Sequence, residues 1–229
     1  MIDMGEFETA EAVLDEAAAL CREVGNREQE ARTLLRKGVA IGLTDAERGV
    51  LQIRHALPLI DAQEQPRTYL CGQHDLAWFL AEAGQSSEAL EILEGTRRLF
   101  RQFPDEYAQI RLHWLEGKIA RSMGRLDEAA SIFRQLLDEL NARTLKHEIV
   151  LATLDLAEAM AEGRKYDEAA HLVRGLYPLM ATWGLHRWAL AAWLLLENAL
   201  RLRELDGIFL RIRAYYRRYW NREGEFLPK

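Results

Sequence analysis

The dipeptide Glu-Ala recurs at a fixed interval: Glu88-Ala89, Glu128-Ala129 and Glu168-Ala169 stand forty residues apart. A period of about 20–50 residues marks a repeat architecture, in which one supersecondary unit buries its apolar face on its neighbours. A glycine closes the apolar run before each dipeptide: Gly84, Gly124 and Gly163. A further step of forty back reaches Gly49, and about forty before that comes Ala10. Twelve residues before each alanine stands another small residue (Ala77, Gly117, Ala157), and four residues after it a larger apolar one (Leu93, Phe133, Val173). This is the pattern of a two-helix unit. Small residues lie where the axes approach most closely, and the large residue one turn on fills the space beside them.

The rest of the chain agrees with helices. Of 229 residues, 49% are apolar and only five are proline, which argues against a loop-rich or all-β fold. Period and breakers predict helices near 5–23, 26–42, 45–61, 66–83, 86–102, 106–123, 126–140, 145–162, 166–180, 186–202 and 206–221. The longest apolar stretch, Trp188 to Leu196, has nine residues and reads as a buried helix, since a bilayer span needs about 20. The N-terminus has neither a basic nor an apolar region of the signal-peptide kind. Cys21 and Cys71 are the only cysteines, form no CxxC and read as reduced residues of a cytoplasmic protein.

With its small residues and its turn sequences Gly5-Glu6-Phe7-Glu8-Thr9-Ala10, Gly124-Arg125-Leu126-Asp127-Glu128-Ala129 and Arg164-Lys165-Tyr166-Asp167-Glu168-Ala169, the pattern resembles the tetratricopeptide repeat. Phe7, Leu126 and Tyr166 hold the aromatic position of that motif. Two departures stand out: the period is about 40 rather than the family's 34, and the family's proline near the repeat end is missing. The long period is similar to the arrays of bacterial regulators that carry an ATPase or a DNA-binding domain. The resemblance implies an all-α, right-handed α-solenoid of antiparallel helical hairpins with about eleven helices. Its parts would be a half repeat at 1–24, repeats at about 25–63, 64–104, 105–143 and 144–183, a C-terminal capping hairpin at 184–222 and a short tail at 223–229. Gly5 then sits inside a repeat, so residues 1–4 read as the stub of a missing helix. The expectation is the C-terminal part of a longer regulator, or an open end that pairs with another chain. A single-helix cap is the alternative.

Chemistry is harder to find. There is no P-loop, GxGxxG, GxSxG or HExxH, and no two of the six histidines (55, 74, 113, 147, 171, 186) stand at i,i+3 or i,i+4; Cys71 precedes His74 by three residues, which is too few ligands for a metal site. His74-Asp75 is no catalytic dyad on this reading, because adjacent helical residues do not face each other. The acids Asp127-Glu128 and Asp167-Glu168 suit the first turn of a helix. Glu116 stands where other repeats have Leu76 and Leu156, and is expected to pair with an arginine of a neighbouring helix. No catalytic residue, metal or cofactor is predicted.

The resemblance implies a concave face lined by the first helix of each hairpin. Carried over by phase, its residues are His74, Trp78, Arg111, Trp114, Lys118, Arg121, Leu154 and Glu158. Trp and Arg dominate binding hot spots, so this aromatic and basic patch is the candidate surface for a protein or peptide partner. The alternative is that Trp78 and Trp114 fill space between helices. The family's clamp for a terminal carboxylate needs paired asparagines, which this chain lacks. Glu158 reads as a surface position whose loss costs little. A second candidate is the C-terminal helix, where Phe209, Leu210, Ile212, Tyr215, Tyr216, Tyr219 and Trp220 alternate with Arg211, Arg213, Arg217, Arg218 and Arg222. Its apolar face is expected to pack on the Trp188/Trp193 helix as a cap and its arginines to form an exposed stripe. The expected function is a protein-interaction scaffold or regulatory module without enzymatic activity. One alternative is a small-ligand sensor. The other is nucleic-acid binding through the C-terminal helix, which the net charge of −6 disfavours for the chain as a whole.

Overall fold

The computed structural model describes residues 7–103, 106–183 and 187–219, with the side chains of 7–9, 106, 187–189, 218 and 219 outside the description. The stub at residues 1–4, Gly5, His186, the Trp188 side chain and everything from Trp220 onward therefore lie outside the described residues. Eleven α-helices and no strand occur among the described residues: α1 Phe7–Glu23, α2 Arg27–Gly42, α3 Ala46–Ala56, α4 Pro66–Glu82, α5 Ser86–Gln102, α6 Glu106–Ser122, α7 Leu126–Ala142, α8 Lys146–Glu162, α9 Tyr166–Thr182, α10 Arg187–Leu202 and α11 Ile208–Tyr219. The protein is all-α. Each helix from α4 to α9 is 17 residues long, which accounts for the long sequence period.

Local sequence explains the boundaries. Asn26 and Asp45 cap α2 and α3 by accepting bonds from Gln29 N at 3.1 Å and Arg48 N at 3.0 Å. Helix α3 stops at Ala56 rather than 61 and gives way to a 3-10 turn, Leu57–Leu59. Pro58 is the cause: it has no N–H to continue the α-helical ladder, and its fixed φ suits the start of a tight turn. Gly84 and Gly124 take φ of 75° and 73°, the left-handed conformation that ends a helix. After α8 the glycine does not play this part. Gly163 has φ −75°, and Arg164 takes the left-handed position at φ 61°.

The chain divides into two compact units, one running to Gly124 and one from Arg125 onward. In the first, consecutive helices pack on one another, and α4 also touches α2 and α6. Its continuous core includes Leu34, Ile53, Phe79, Leu80, Leu93, Leu115 and Ile119. Burying a side chain of this size contributes about 1.5–3 kcal/mol. The tightest approach is between α2 and α3: a methyl group on Gly49 would stand 2.4 Å from the Cα of Gly42, closer than any atoms pack. In the second unit α8 touches α7, α9 and α11, and α10 touches α9 and α11. Its core includes Phe133, Leu136, Leu154, Val173, Trp193, Leu196, Ile212 and Tyr216.

Candidate functional site

The first unit brings His74, Trp78, Arg111, Trp114 and Lys118 together between α4 and α6. The indole rings of Trp78 and Trp114 lie 5.8 Å apart, His74 is 5.8 Å from Trp78, and Lys118 Nζ sits 4.7 Å above the Trp78 ring. Lys118 also pairs with Glu82, which accepts a longer contact of 3.5 Å from Arg121 Nη2. His74, Trp114 and Lys118 are only 4%, 8% and 2% exposed. The predicted patch is therefore mainly a helix–helix seam, with Trp78, Arg111 and Arg121 reaching its half-buried rim.

His74 and Asp75 do meet, contrary to the expectation for adjacent helical residues: Nδ1 and Oδ1 are 3.0 Å apart. The reason is Arg111 on α6. Its Nη2 donates to Asp75 Oδ1 at 2.7 Å and to His74 Nδ1 at 2.8 Å, drawing both side chains to one point. Arginine only donates, so Nδ1 accepts; the ring proton sits on Nε2 and donates to the Arg111 carbonyl at 3.3 Å. A neutral imidazole fits its surroundings. Burial holds the His74 pKa below its ordinary value and the Arg111 guanidinium adds to this, while the Asp75 carboxylate opposes it. A basic nitrogen already occupied by a guanidinium is poorly placed to take a proton from a substrate. The arrangement is a lock between two helices.

Beside the lock lies a cavity of about 60 Å³ whose lining includes Cys71, Phe100, Phe103 and Tyr107 together with Arg67, His74 and Arg111. Trp78 and Trp114 do not line it. Glu116 pairs with Arg97 of α5 at 2.9 Å, the arginine partner expected from the sequence. Both cysteines are free thiols.

In the second unit Leu154 and Glu158 lie on α8, but neither faces open solvent. Leu154 is wholly buried. Glu158 is not the inexpensive surface residue expected, because its Oε2 accepts a bond of 2.8 Å from Arg213 Nη2 of α11. The same nitrogen donates to Asp155 Oδ1 at 2.6 Å. Arg213 is 7% exposed and Asp155 1% exposed. The predicted outward stripe of arginines is thus corrected at its centre: Arg211 is exposed, Arg213 points inward and Arg217 is half-buried. Phe209, Ile212 and Tyr216 of the same helix are buried as well, and Tyr216 stacks on His147 of α8 at 5.4 Å. Helix α11 therefore packs on α8 as well as on α10.

Helix α10 departs from the sequence reading as well. Trp193, Leu196 and Leu200 are buried, and the Trp193 indole donates to the Val173 carbonyl. Leu194, Leu195 and Leu202 are 45%, 59% and 66% exposed, so the apolar run is covered on one face only. No described helix is long and apolar enough to cross a membrane, and no group of three or more His, Cys, Asp or Glu that could hold a metal ion occurs among the described residues.

No family model matches the chain, and comparison with curated proteins finds none similar to it.

Proposed function

We propose that this chain is a protein-interaction module: helical hairpins of tetratricopeptide type stacked as a right-handed solenoid, whose first-helix faces receive a segment of a partner protein. The observation that carries this reading is the seating of α11 on α8. The face of α8 with His147, Asp155 and Glu158 already holds an amphipathic helix through a ring stack with Tyr216 and a charge-assisted clasp on Arg213. Helix-in-groove recognition uses the same parts: apolar anchors one turn apart and a polar group that fixes the register. The half-buried rim at Trp78 and Arg121 offers the analogous chemistry on α4 and α6. It is held by neighbouring side chains, so little ordering entropy is lost on binding.

The test is affinity capture from the cells that make the protein, comparing the parent with a Trp78→Ala, Arg121→Glu variant that still melts cooperatively. A protein retained by the parent and lost by the variant supports docking at the α4–α6 rim. Equal retention removes that rim from the reading, and failure of both to retain any protein counts against the scaffold.

The cavity beside His74 favours a second reading, a sensor for a small anionic ligand. Aromatic walls and two arginines suit a carboxylate on a flat apolar body. A thermal-shift screen with small carboxylic acids checks it. Stabilisation of the parent that disappears in Arg111→Met supports the sensor, and no shift with any acid rejects it.

A further inference from the structure

We infer that α11 is a displaceable intramolecular ligand of the α8 face, and that the external occupant of this face is an amphipathic protein helix carrying an arginine among aromatic and aliphatic side chains. The inference rests on the interaction-module reading and specifies its partner and its control.

Three features lead to it. The first is the chemistry of the face. From Ile149 to Ala161 no residue of α8 is exposed, yet the stretch holds two carboxylates, Asp155 and Glu158, one turn apart on the same side. A buried carboxylate needs a cation, and α11 delivers one at Arg213. A helix with an acid at that point would set like charges against Asp155 and Glu158, so the face selects by charge as well as by shape.

The second is that α11 fits imperfectly. The Tyr216 hydroxyl is buried without a hydrogen-bond partner among the described residues, and a buried donor left unmade weakens the docked state. The clasp desolvates three charged groups, so its attraction is largely offset by lost hydration. A competing helix that satisfies the same acids without burying a stranded hydroxyl would bind better.

The third is the connection. Five residues, 203–207, join α10 to α11. The segment begins at Arg203 with φ 59° and ends at Gly207 with φ 60°. Arg203 takes the left-handed position that ends α10, where its N–H and that of Glu204 donate back to the carbonyls of Leu200 and Ala199, so α10 is closed off independently of α11. A short segment with left-handed residues at both ends is suited to act as a hinge, because few dihedrals need to change.

The experiment uses the full chain and a fluorescent peptide of residues 206–219. In the chain variant Arg213→Glu, a third negative charge faces Asp155 and Glu158 and releases α11. Fluorescence anisotropy should then show the peptide binding the variant at least tenfold more tightly than the parent. A peptide that itself carries Arg213→Glu should bind neither. Equal affinity for parent and variant, or no binding to the variant, overturns the inference. The unsubstituted parent gives a second measurement that is independent of whether the variant folds. Hydrogen exchange should open the amides of α11 at least tenfold faster than those of α8 and α9, and equal protection would overturn the inference. A parent dimer joined by exchanged α11 helices, seen by analytical ultracentrifugation, also overturns it, since the occupant would be a second copy. None of these readouts depends on a cellular partner, so a failed capture at the α4–α6 rim and a failed displacement of α11 remain separate results.

Discussion

Helices α4 and α8 begin eighty residues apart, two steps of the forty-residue sequence interval, and neither has an exposed residue along its central stretch. They reach that state differently. Helix α4 is covered by α2, α3, α5 and α6, its neighbours in the chain. Its polar groups meet a lock, His74-Asp75-Arg111, whose arginine is about a third exposed. Helix α8 is covered on one side by the terminal α11, through an arginine–carboxylate clasp almost wholly removed from water. The turns differ in the same sense. In the first unit α1, α4 and α6 end with glycine in the left-handed position at Gly25, Gly84 and Gly124, whereas in the second α7, α8 and α10 end with Thr144, Arg164 and Arg203 there. The comparison teaches that a buried helix can be covered by its neighbours in the chain or by a distant segment folding back. The second solution concentrates buried charge and backbone strain in one unit.

The sharpest way to break the comparison is at the two arginines. Asp155→Ala strips the clasp of its most buried acid and should destabilise the second unit by about 3–5 kcal/mol. Replacing the clasp as a whole, with Asp155→Leu, Glu158→Leu and Arg213→Met together, should recover most of that loss. Urea melts of both variants check this, and a triple variant no more stable than the single one would show that the clasp is not the cause. In the first unit, Arg111→Met removes a partly solvated arginine and should cost only about 1–1.5 kcal/mol by the same measurement.

The lock also has a pH signature. His74 is neutral in the folded chain, with a pKa below the 6.5 of the unfolded state. Between those two values the unfolded chain binds the extra proton. Stability therefore falls as pH drops below about 6.5, by at most about 1.4 kcal/mol per pH unit from this group, and levels off below the folded pKa. His74→Gln should flatten this part of the stability–pH profile without altering the plateau slope above pH 7. The smallest effect belongs to the turns. Thr144 is exposed and β-branched at φ 57°, and Thr144→Gly should stabilise the chain by about 0.5–1 kcal/mol. The reverse change in the first unit, Gly84→Thr, should destabilise it by a similar amount, and thermal melts read both.

The helices were legible in the sequence because periodicity, glycine stops and caps act locally. The one early end, α3 at Ala56, was legible too, since Pro58 stands inside the predicted helix. His74, Trp78, Arg111, Trp114 and Lys118 were grouped correctly by repeat phase, but phase says nothing about burial, and it placed an internal seam on an open face. The His74–Asp75 contact was missed because rules for isolated helices leave out a third residue that draws neighbours together. The Arg213–Asp155–Glu158 clasp spans up to 58 positions and lies outside any repeat rule. A signal was present all the same. Asp155 is the lone acid in the run Ile149 to Leu156, and Arg213 is flanked by Ile212 and Ala214. A charge set in an apolar stretch calls for its opposite elsewhere.

The reach of that clasp has a consequence during synthesis. Translation adds about 5–20 residues per second, so α8 leaves the ribosome roughly 3–12 seconds before Arg213 does. Throughout that interval the acids of α8 lack the arginine of α11 that clasps them in the finished fold. A nascent partner helix or a chaperone would meet the face at its most accessible, and assembly made then would not have to compete with α11.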